Sequence, residues 1–214
     1  MDVKEKKDVN RIIIIGPIVG KFANGVATNI TIRTPRINMP TNAKEGDSCY
    51  NYPEIAFYGD DKTQINEAFS KGDIVRIEAS IQSQRKPSPD GGRDHFEQKY
   101  VGTSIKKAIP VLDGLVEGLG TYVIPENVVL LSGTVSRIQA PSPGVCIINI
   151  RTFIDGRVNN VQTWRFGKIG DIMDRFRVGD HVAAVGTIQT YRKEVEGGPD
   201  QHYRRTVIND IVAG

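Results

Sequence analysis

The feature that most constrains the fold is an internal duplication of the sequence. Residues 81–86 (IQSQRK) return as residues 188–193 (IQTYRK), each after a Gly-Asp pair and before a Gly-Gly pair. Other matched positions keep the same order along the 214-residue chain: Asn10 and Asn127, Gly16 and Gly133, Arg33 and Arg151, Tyr58 and Phe166, Phe69 and Phe176, Gly72 and Gly179. Because each copy spans about 90 residues, the repeat unit is a whole domain and not one element of a solenoid.

The duplication predicts two domains joined by a linker. We assign residues 1–107 to the first domain, residues 108–126 to the linker and residues 127–214 to the second domain. Each domain has the usual size of a unit with its own core. The linker is rich in Leu, Val and Gly and contains no Lys or Arg. We therefore expect it to pack between the domains or at a dimer interface.

Composition excludes several classes of protein. The net charge of +3 divides into an excess of three basic residues in each repeat and three acidic residues in the linker, which is compatible with a polyanionic partner. No apolar stretch reaches the roughly 20 residues that cross a bilayer, so no membrane association is expected. The charged first residues do not resemble a secretion signal, and we expect a cytoplasmic location. Cys49 and Cys146 occupy unmatched positions and predict neither a disulfide nor a zinc site.

The sequence lacks the common motifs of catalysis and cofactor binding. It contains no GxxxxGK[ST] phosphate-binding loop, no HExxH zinc motif and no nucleophile elbow. The glycine pairs at 91–92 and 197–198 lie between predicted strands and precede no helix, which is typical of hairpin tips. We therefore expect a protein that is not an enzyme and has no cofactor.

Short segments rich in β-branched residues and bounded by Gly, Pro, Asn and Asp indicate a β protein. The first copy predicts strands near residues 10–19, 25–34, 52–59, 73–84 and 95–105, with a helix near 62–70. The second copy predicts strands near residues 127–138, 144–153, 161–167, 180–191 and 202–211, with a helix near 169–176. Five strands with a helix between the third and fourth strands is the element order of the OB-fold. The predicted fold class is all-β, with two tandem five-stranded OB-fold barrels.

Several segments resemble the bacterial single-stranded-DNA-binding protein (SSB) family. They are 127–134 (NVVLLSGT), 164–168 (WRFGK) and 176–193 (FRVGDHVAAVGTIQTYRK), with weaker counterparts at 10–16 (NRIIIIG), 57–59 (FYG) and 71–78 (KGDIVRIE). The resemblance implies binding of single-stranded DNA during replication, recombination or repair. Family members commonly have one such domain per chain and form tetramers, so a homodimer of this chain would supply four OB-folds. They also end in an acidic tail that recruits partners, which we do not expect here because the sequence ends at 209–214 (NDIVAG).

Binding of a single strand needs aromatic faces for base stacking and basic side chains along the phosphate path. Trp164 and Phe166 are two residues apart on a predicted strand and share one face, and Tyr58 is the first copy's counterpart of Phe166. The further candidates lie near the end of the second strand, directly after the third strand, or at the start of the loop between the fourth and fifth strands. They are Arg33, Arg85, Lys86, Arg151, Lys168, Tyr191, Arg192 and Lys193.

Three alternatives stay open from the sequence. The rings of Tyr58, Trp164 and Phe166 belong to the core if the strand face that carries them is the buried one. The chain is a protein-interaction adaptor or scaffold without nucleic-acid affinity if its grooves hold a peptide or another subunit. RNA is a possible ligand as well, because stacking and phosphate contacts do not separate it from DNA without a contact to the 2′-hydroxyl.

Overall fold

The computed structural model describes residues 8–36, 49–87, 95–108, 124–167, 169–193 and 201–214. The elements of the first half are β1 (Val9–Ala23), β2 (Ala27–Ile32), β3 (Thr34–Pro35), β4 (Tyr50–Asn51), β5 (Glu54–Tyr58), α1 (Asp61–Ala68), β6 (Ile74–Lys86) and β7 (His95–Lys107). Those of the second half are β8 (Glu126–Ser142), β9 (Val145–Ile154), β10 (Arg157–Phe166), α2 (Gly170–Arg175), β11 (His181–Lys193) and β12 (Gln201–Ala213). The prediction of a mostly β protein with two short helices is confirmed.

The strand pairings close on themselves within each half. In the first half the order is β1-β2-β5-β7-β6, and β6 pairs back to β1. In the second half the order is β8-β9-β10-β12-β11, and β11 pairs back to β8. Each half therefore contains a ring of five strands. In chain order its helix lies between the third and fourth of them, α1 between β5 and β6 and α2 between β10 and β11. The short pair β3–β4 lies outside both rings.

Alternation of buried and accessible residues along the strands builds the core. On β1, Ile12 and Ile14 are fully buried while their neighbours Ile13 and Ile15 are partly accessible, as expected for side chains that point to opposite faces of a strand. Each helix contributes one buried apolar residue to the same core, Ile65 from α1 and Ile172 from α2. Burial of each large aliphatic side chain contributes roughly 1.5–3 kcal/mol to folding.

Gly16 and Gly133 sit at matched points where the first strand of each ring crosses over neighbouring backbone. A Cβ atom at Gly16 would lie 2.4 Å from the carbonyl oxygen of Arg33, and one at Gly133 would lie 2.3 Å from that of Arg151. These contacts are far closer than van der Waals distance, so only glycine fits at these two positions. The glycines permit the curvature that brings β6 or β11 back to the first strand of its ring.

The two halves join through antiparallel pairing of β1 with β8. Ile12 lies opposite Val129, which is the matched position of the second copy, so the centre of the pairing is a local two-fold axis. Buried asparagines reinforce this contact on both sides. Asn10 donates to the carbonyl of Ile81 in its own half and to the Thr152 hydroxyl of the other half, at 2.7 and 3.4 Å.

The second copy repeats these bonds. Asn127 donates to the carbonyl of Ile188, at 2.7 Å, and to the Thr34 hydroxyl of the first half, at 3.2 Å. The interface thus has the self-complementary form of a symmetric dimer within a single chain. Of the predicted linker, residues 109–123 lie outside the described residues.

Candidate nucleic-acid interface

The outer face of β10 carries the predicted ring pair. Val161 and Thr163 are fully buried on the inner face, so alternation turns Trp164 and Phe166 outward. Trp164 is half-buried and Phe166 is 41% exposed. Their ring centroids are 6.3 Å apart with planes inclined by 18°. The two aromatic side chains therefore present nearly parallel faces on the outside of the five closed strands of the second half.

The hairpin formed by β11 and β12 carries a second ring pair. Tyr191 lies directly opposite Tyr203 in the antiparallel register, and their ring centroids are 5.0 Å apart with planes inclined by 11°. Partial burial raises the pKa of the Tyr191 phenol. Both rings are stacked and only partly accessible.

Arg205 connects these two ring pairs. β10 and β12 run parallel with Trp164 beside Val207, which brings Arg205, two residues earlier on β12, to the same face as the rings. Its guanidinium carbon lies 4.0 Å from the Trp164 ring centroid and 4.5 Å from that of Tyr191. The arrangement is a continuous row of flat groups with one cation at its centre. We call this row the stacking platform; its members are Phe166, Trp164, Arg205, Tyr191 and Tyr203.

The stacking platform has the chemistry of a single-strand binding surface. Aromatic faces stack on bases of any sequence, because every base has a π-face, and each such contact contributes about 1–3 kcal/mol. A guanidinium between two rings offers a planar face to a base and N–H donors to a phosphate. Unpaired bases can therefore lie along the row with the phosphate chain near Arg205.

The matched face of the first half is different. The counterparts of Trp164, Tyr191 and Arg205 are Ala56, Gln84 and Gln98, none of which is aromatic or charged. Tyr58 occupies the position of Phe166 and is 39% exposed. It lines a groove of about 330 Å³ between α1 and strands β5 and β7. Among the positions of the first half that match the stacking platform and whose side chains the structure describes, Tyr58 is therefore the one aromatic residue.

The two matched arginines are not members of the stacking platform. The guanidinium of Arg33 lies 5.0 Å from the ring centroid of Tyr50 in the first half. Arg151 is exposed on β9, opposite Asn160 of β10. It shares the outer face with Trp164 but lies four residues along the strand, which is about 13 Å. A bound strand several nucleotides long would be needed to reach both Arg151 and Trp164.

Four of the remaining predicted cations belong to the far ends of the two long hairpins. Lys86 pairs with Glu97 across β6 and β7 at 3.2 Å, so the charge of this side chain is partly neutralised. The backbones of Arg85, Arg192 and Lys193 continue β6 and β11 to their ends, and the side chains of these three residues lie outside the described part of the structure. Lys168 falls wholly outside the described residues.

Sequence reasoning missed Arg205 and Tyr203 as site residues. Tyr203 was visible as part of the matched pairs His95-Phe96 and His202-Tyr203, yet its contact with Tyr191 depends on the exact register of β11 and β12. Arg205 has Gln98 as its counterpart, so the duplication offers no signal for it. The available signal was alternation along β12, which puts residues 203, 205 and 207 on one face.

Other classes of site have little support in the described residues. No group of three or more His, Cys, Asp or Glu side chains in the described part of the chain is arranged to hold a metal ion. None of the helices in the described ranges has the length and apolar character that crossing a membrane would require.

Comparison with known proteins identifies the fold. No protein-family model matches the chain, and no curated protein matches it in sequence. Among solved structures, the wild-type single-stranded DNA binding protein from Thermus aquaticus has a TM-score of 0.64 at 12% identity, covering 98% of this chain and 94% of that one. A deletion mutant of the same protein has a TM-score of 0.66 at 11% identity, covering 97% and 95%. The chain thus has, over nearly its whole length, the all-β fold of the Thermus aquaticus protein.

Proposed function

We propose that this protein binds single-stranded DNA with little sequence preference. The observation that carries the proposal is the stacking platform, where four rings and one guanidinium form a continuous row on the outside of the second half. A row of flat faces suits unpaired bases, whereas the edges of bases in a duplex are reached through the grooves. The two Thermus aquaticus structures with this fold are of a single-stranded DNA binding protein, which supports the proposal.

In this proposal bases stack on Phe166, Trp164 and the tyrosine pair, and phosphates contact the cations around them. Arg205 is the central cation, and Arg151 extends the same outer face. The predicted residues Arg192 and Lys193 at the hairpin end, with Lys168 after β10, would continue the phosphate path. Arg33, Tyr58, Arg85 and Lys86 would form the lesser surface of the first half.

We further propose that the two rings of strands are tandem OB-fold barrels, in domains 1–107 and 127–214, and that two chains associate to give four barrels. The closed pairing order and the helix position support the barrels. The homodimer is supported by the outer face of the β1–β8 junction, where Ile13, Val128 and Leu130 are only partly buried within one chain. Sedimentation at micromolar concentration should give twice the chain mass of 23.6 kDa.

The test of the binding proposal is a fluorescence titration with oligothymidine. Trp164 is the single tryptophan of the chain, so its emission reports directly on the stacking platform. We expect quenching on binding and a steep loss of affinity with salt, because neutralised phosphates release counterions. Absence of binding at low salt would overturn the proposal and favour the adaptor alternative. The positive result for that alternative is a protein partner that stays bound after nuclease treatment.

A matched titration with oligouridine addresses the choice of nucleic acid. The stacking platform offers ring faces and one guanidinium, and neither feature by itself requires or excludes a ribose 2′-hydroxyl. We propose DNA as the ligand, in the cytoplasm, during replication, recombination or repair. Equal affinity for both oligomers would show that RNA is bound as well.

A further inference from the structure

One face of the β11–β12 hairpin is anchored on the first half of the chain. Thr190 is the centre of this contact. Its backbone N–H donates to the Asn51 side-chain oxygen at 3.1 Å, and its hydroxyl accepts from the Tyr52 N–H at 2.8 Å. The guanidinium of Arg36 donates to the Thr190 carbonyl. The backbone N–H, the backbone carbonyl and the hydroxyl of Thr190 are therefore all hydrogen-bonded to the first half.

Arg204 extends the same anchor. It lies opposite Thr190 in the register of the hairpin, and its guanidinium donates to a carboxylate oxygen of Glu54 at 3.1 Å. Thr190 and Arg204 precede and follow the platform residues Tyr191 and Tyr203, and successive residues on a strand point to opposite faces. The hairpin thus contacts the first half with one face and carries the tyrosine pair on the other.

The second half holds the β6–β7 hairpin with the matching bonds. The N–H of Ser83 donates to the Asn159 side-chain oxygen at 3.2 Å, and the Ser83 hydroxyl accepts from the Asn160 N–H at 2.8 Å. Ser83 is the counterpart of Thr190, and Asn159 is the counterpart of Asn51. Both asparagines are buried, at 4% and 2% exposure. The two anchors are therefore alike at their centres.

The anchors differ in their outer parts and in what they support. Positions matched to Arg36 and Glu54 are Ile154 and Gln162, neither of which is charged. The hairpin that receives the additional charged contacts is the one that carries the stacking platform. The other hairpin has Gln84 at the position of Tyr191.

We propose that Asn51, Glu54 and Arg36 of the first half are positioning residues for the stacking platform of the second half. This inference rests on the proposed function. A two-stranded hairpin is marginally stable by itself, and ordering of side chains on binding costs free energy that a preorganised surface avoids. The first half therefore contributes to DNA binding through contacts that do not touch the DNA.

The test compares Asn51→Ala with Asn159→Ala in the full-length chain. Each change removes the same hydrogen bond from matched hairpins, so both variants should lose similar thermal stability. We expect Asn51→Ala to weaken oligothymidine binding by about 3- to 10-fold, from the cost of ordering one or two side chains. Binding by Asn159→Ala should stay within about twofold of the wild type. The salt dependence should not change in either variant, because neither loses a phosphate contact.

Equal affinities for the two variants would overturn the positioning role, whether both are weakened or both match the wild type. Glu54→Gln provides a second variant that keeps the fold, since its ion pair with Arg204 is exposed, with 44% accessibility on both sides. At a salt concentration that screens the lost negative charge, it should weaken binding by about twofold without a change in Tm, and unchanged affinity there would contradict the proposal. A wild-type chain that gives no quenching would refute the proposed function itself, which separates the two failures.

Discussion

Replacement of Phe166 by Ala separates a binding ring from a core ring. The side chain is 41% exposed and stacks on Trp164, so its removal leaves no closed cavity of the kind that makes buried Phe→Ala changes cost about 3–5 kcal/mol. Loss of one stacked base costs about 1–3 kcal/mol of binding. At 1.4 kcal/mol for each tenfold change, affinity for oligothymidine should fall by about 5- to 150-fold.

The matched control is Phe153→Ala. Phe153 is 61% exposed on β9 of the same half, opposite Val158 and away from the stacking platform. The substitution removes the same chemical group as Phe166→Ala, and its effect on the core should be equal or smaller because Phe153 is more exposed. Oligothymidine titrations should show a much smaller loss of affinity for this variant than for Phe166→Ala, and calorimetry should show a similar Tm for both. A stacking role for Phe166 is refuted if Phe166→Ala binds like the control, or if it loses Tm while its affinity holds.

Three further changes test separate parts of the structure. Arg205→Gln should lower the slope of log affinity against log salt by about 0.7, the value for one phosphate contact on a single strand. Gly102→Ala should lower the free energy of unfolding by about 1–3 kcal/mol, because its Cβ would lie 2.2 Å from the buried Phe57 ring. Glu78→Gln should lower Tm at neutral pH, since hydrogen bonds from Arg76 and then Arg11 hold the pKa of the Glu78 carboxyl below its usual value. A carboxyl whose pKa is lowered in the folded state stabilises the fold above the unfolded-state pKa. This stabilisation is lost as the pH falls through the folded-state pKa, so the Tm values of wild type and Glu78→Gln should converge in acid.

Each of these changes has a control or a contrary result. Lys71→Gln removes an exposed cation from the turn before β6, and a slope reduced as much as in Arg205→Gln would remove the special role of Arg205. Gly25→Ala meets nothing within 4 Å, so a loss of stability equal to that of Gly102→Ala would exclude the steric explanation. A Tm difference for Glu78→Gln that persists in acid would show that charge is not its cause.

Sequence reasoning succeeded where the signal was local or duplicated. The alternation that turns Trp164 and Phe166 to one face needs only their spacing, and the glycine pair Gly16 and Gly133 stood out because both copies keep it. Which face of β10 lies outside could not be predicted, since it depends on how the five strands of the second half close on themselves. The position of Arg205 between two rings depends on the parallel register of β10 with β12, and register comes from tertiary packing.

The hydrogen bonds that anchor each hairpin on the other half could not be predicted from the sequence, for a related reason. Asn51 borders a long insertion of the first copy, whereas Asn159 follows a tight turn at Asp155 and Gly156. Their equivalence appears only when both are seen to accept from a backbone N–H of the opposite hairpin. Sequence spacing predicts neighbours along one strand but not partners that are more than 70 residues away.

The pairing of Ile12 with Val129 means that two similar surfaces meet within one covalent chain. In a dimer of identical subunits, any substitution appears on both sides of the axis, so neither copy can specialise alone. Here the joined copies stay at a fixed ratio of one to one, and dilution cannot separate them as it separates free subunits. Each copy can therefore change independently, so an aromatic row on one half does not require the same row on the other.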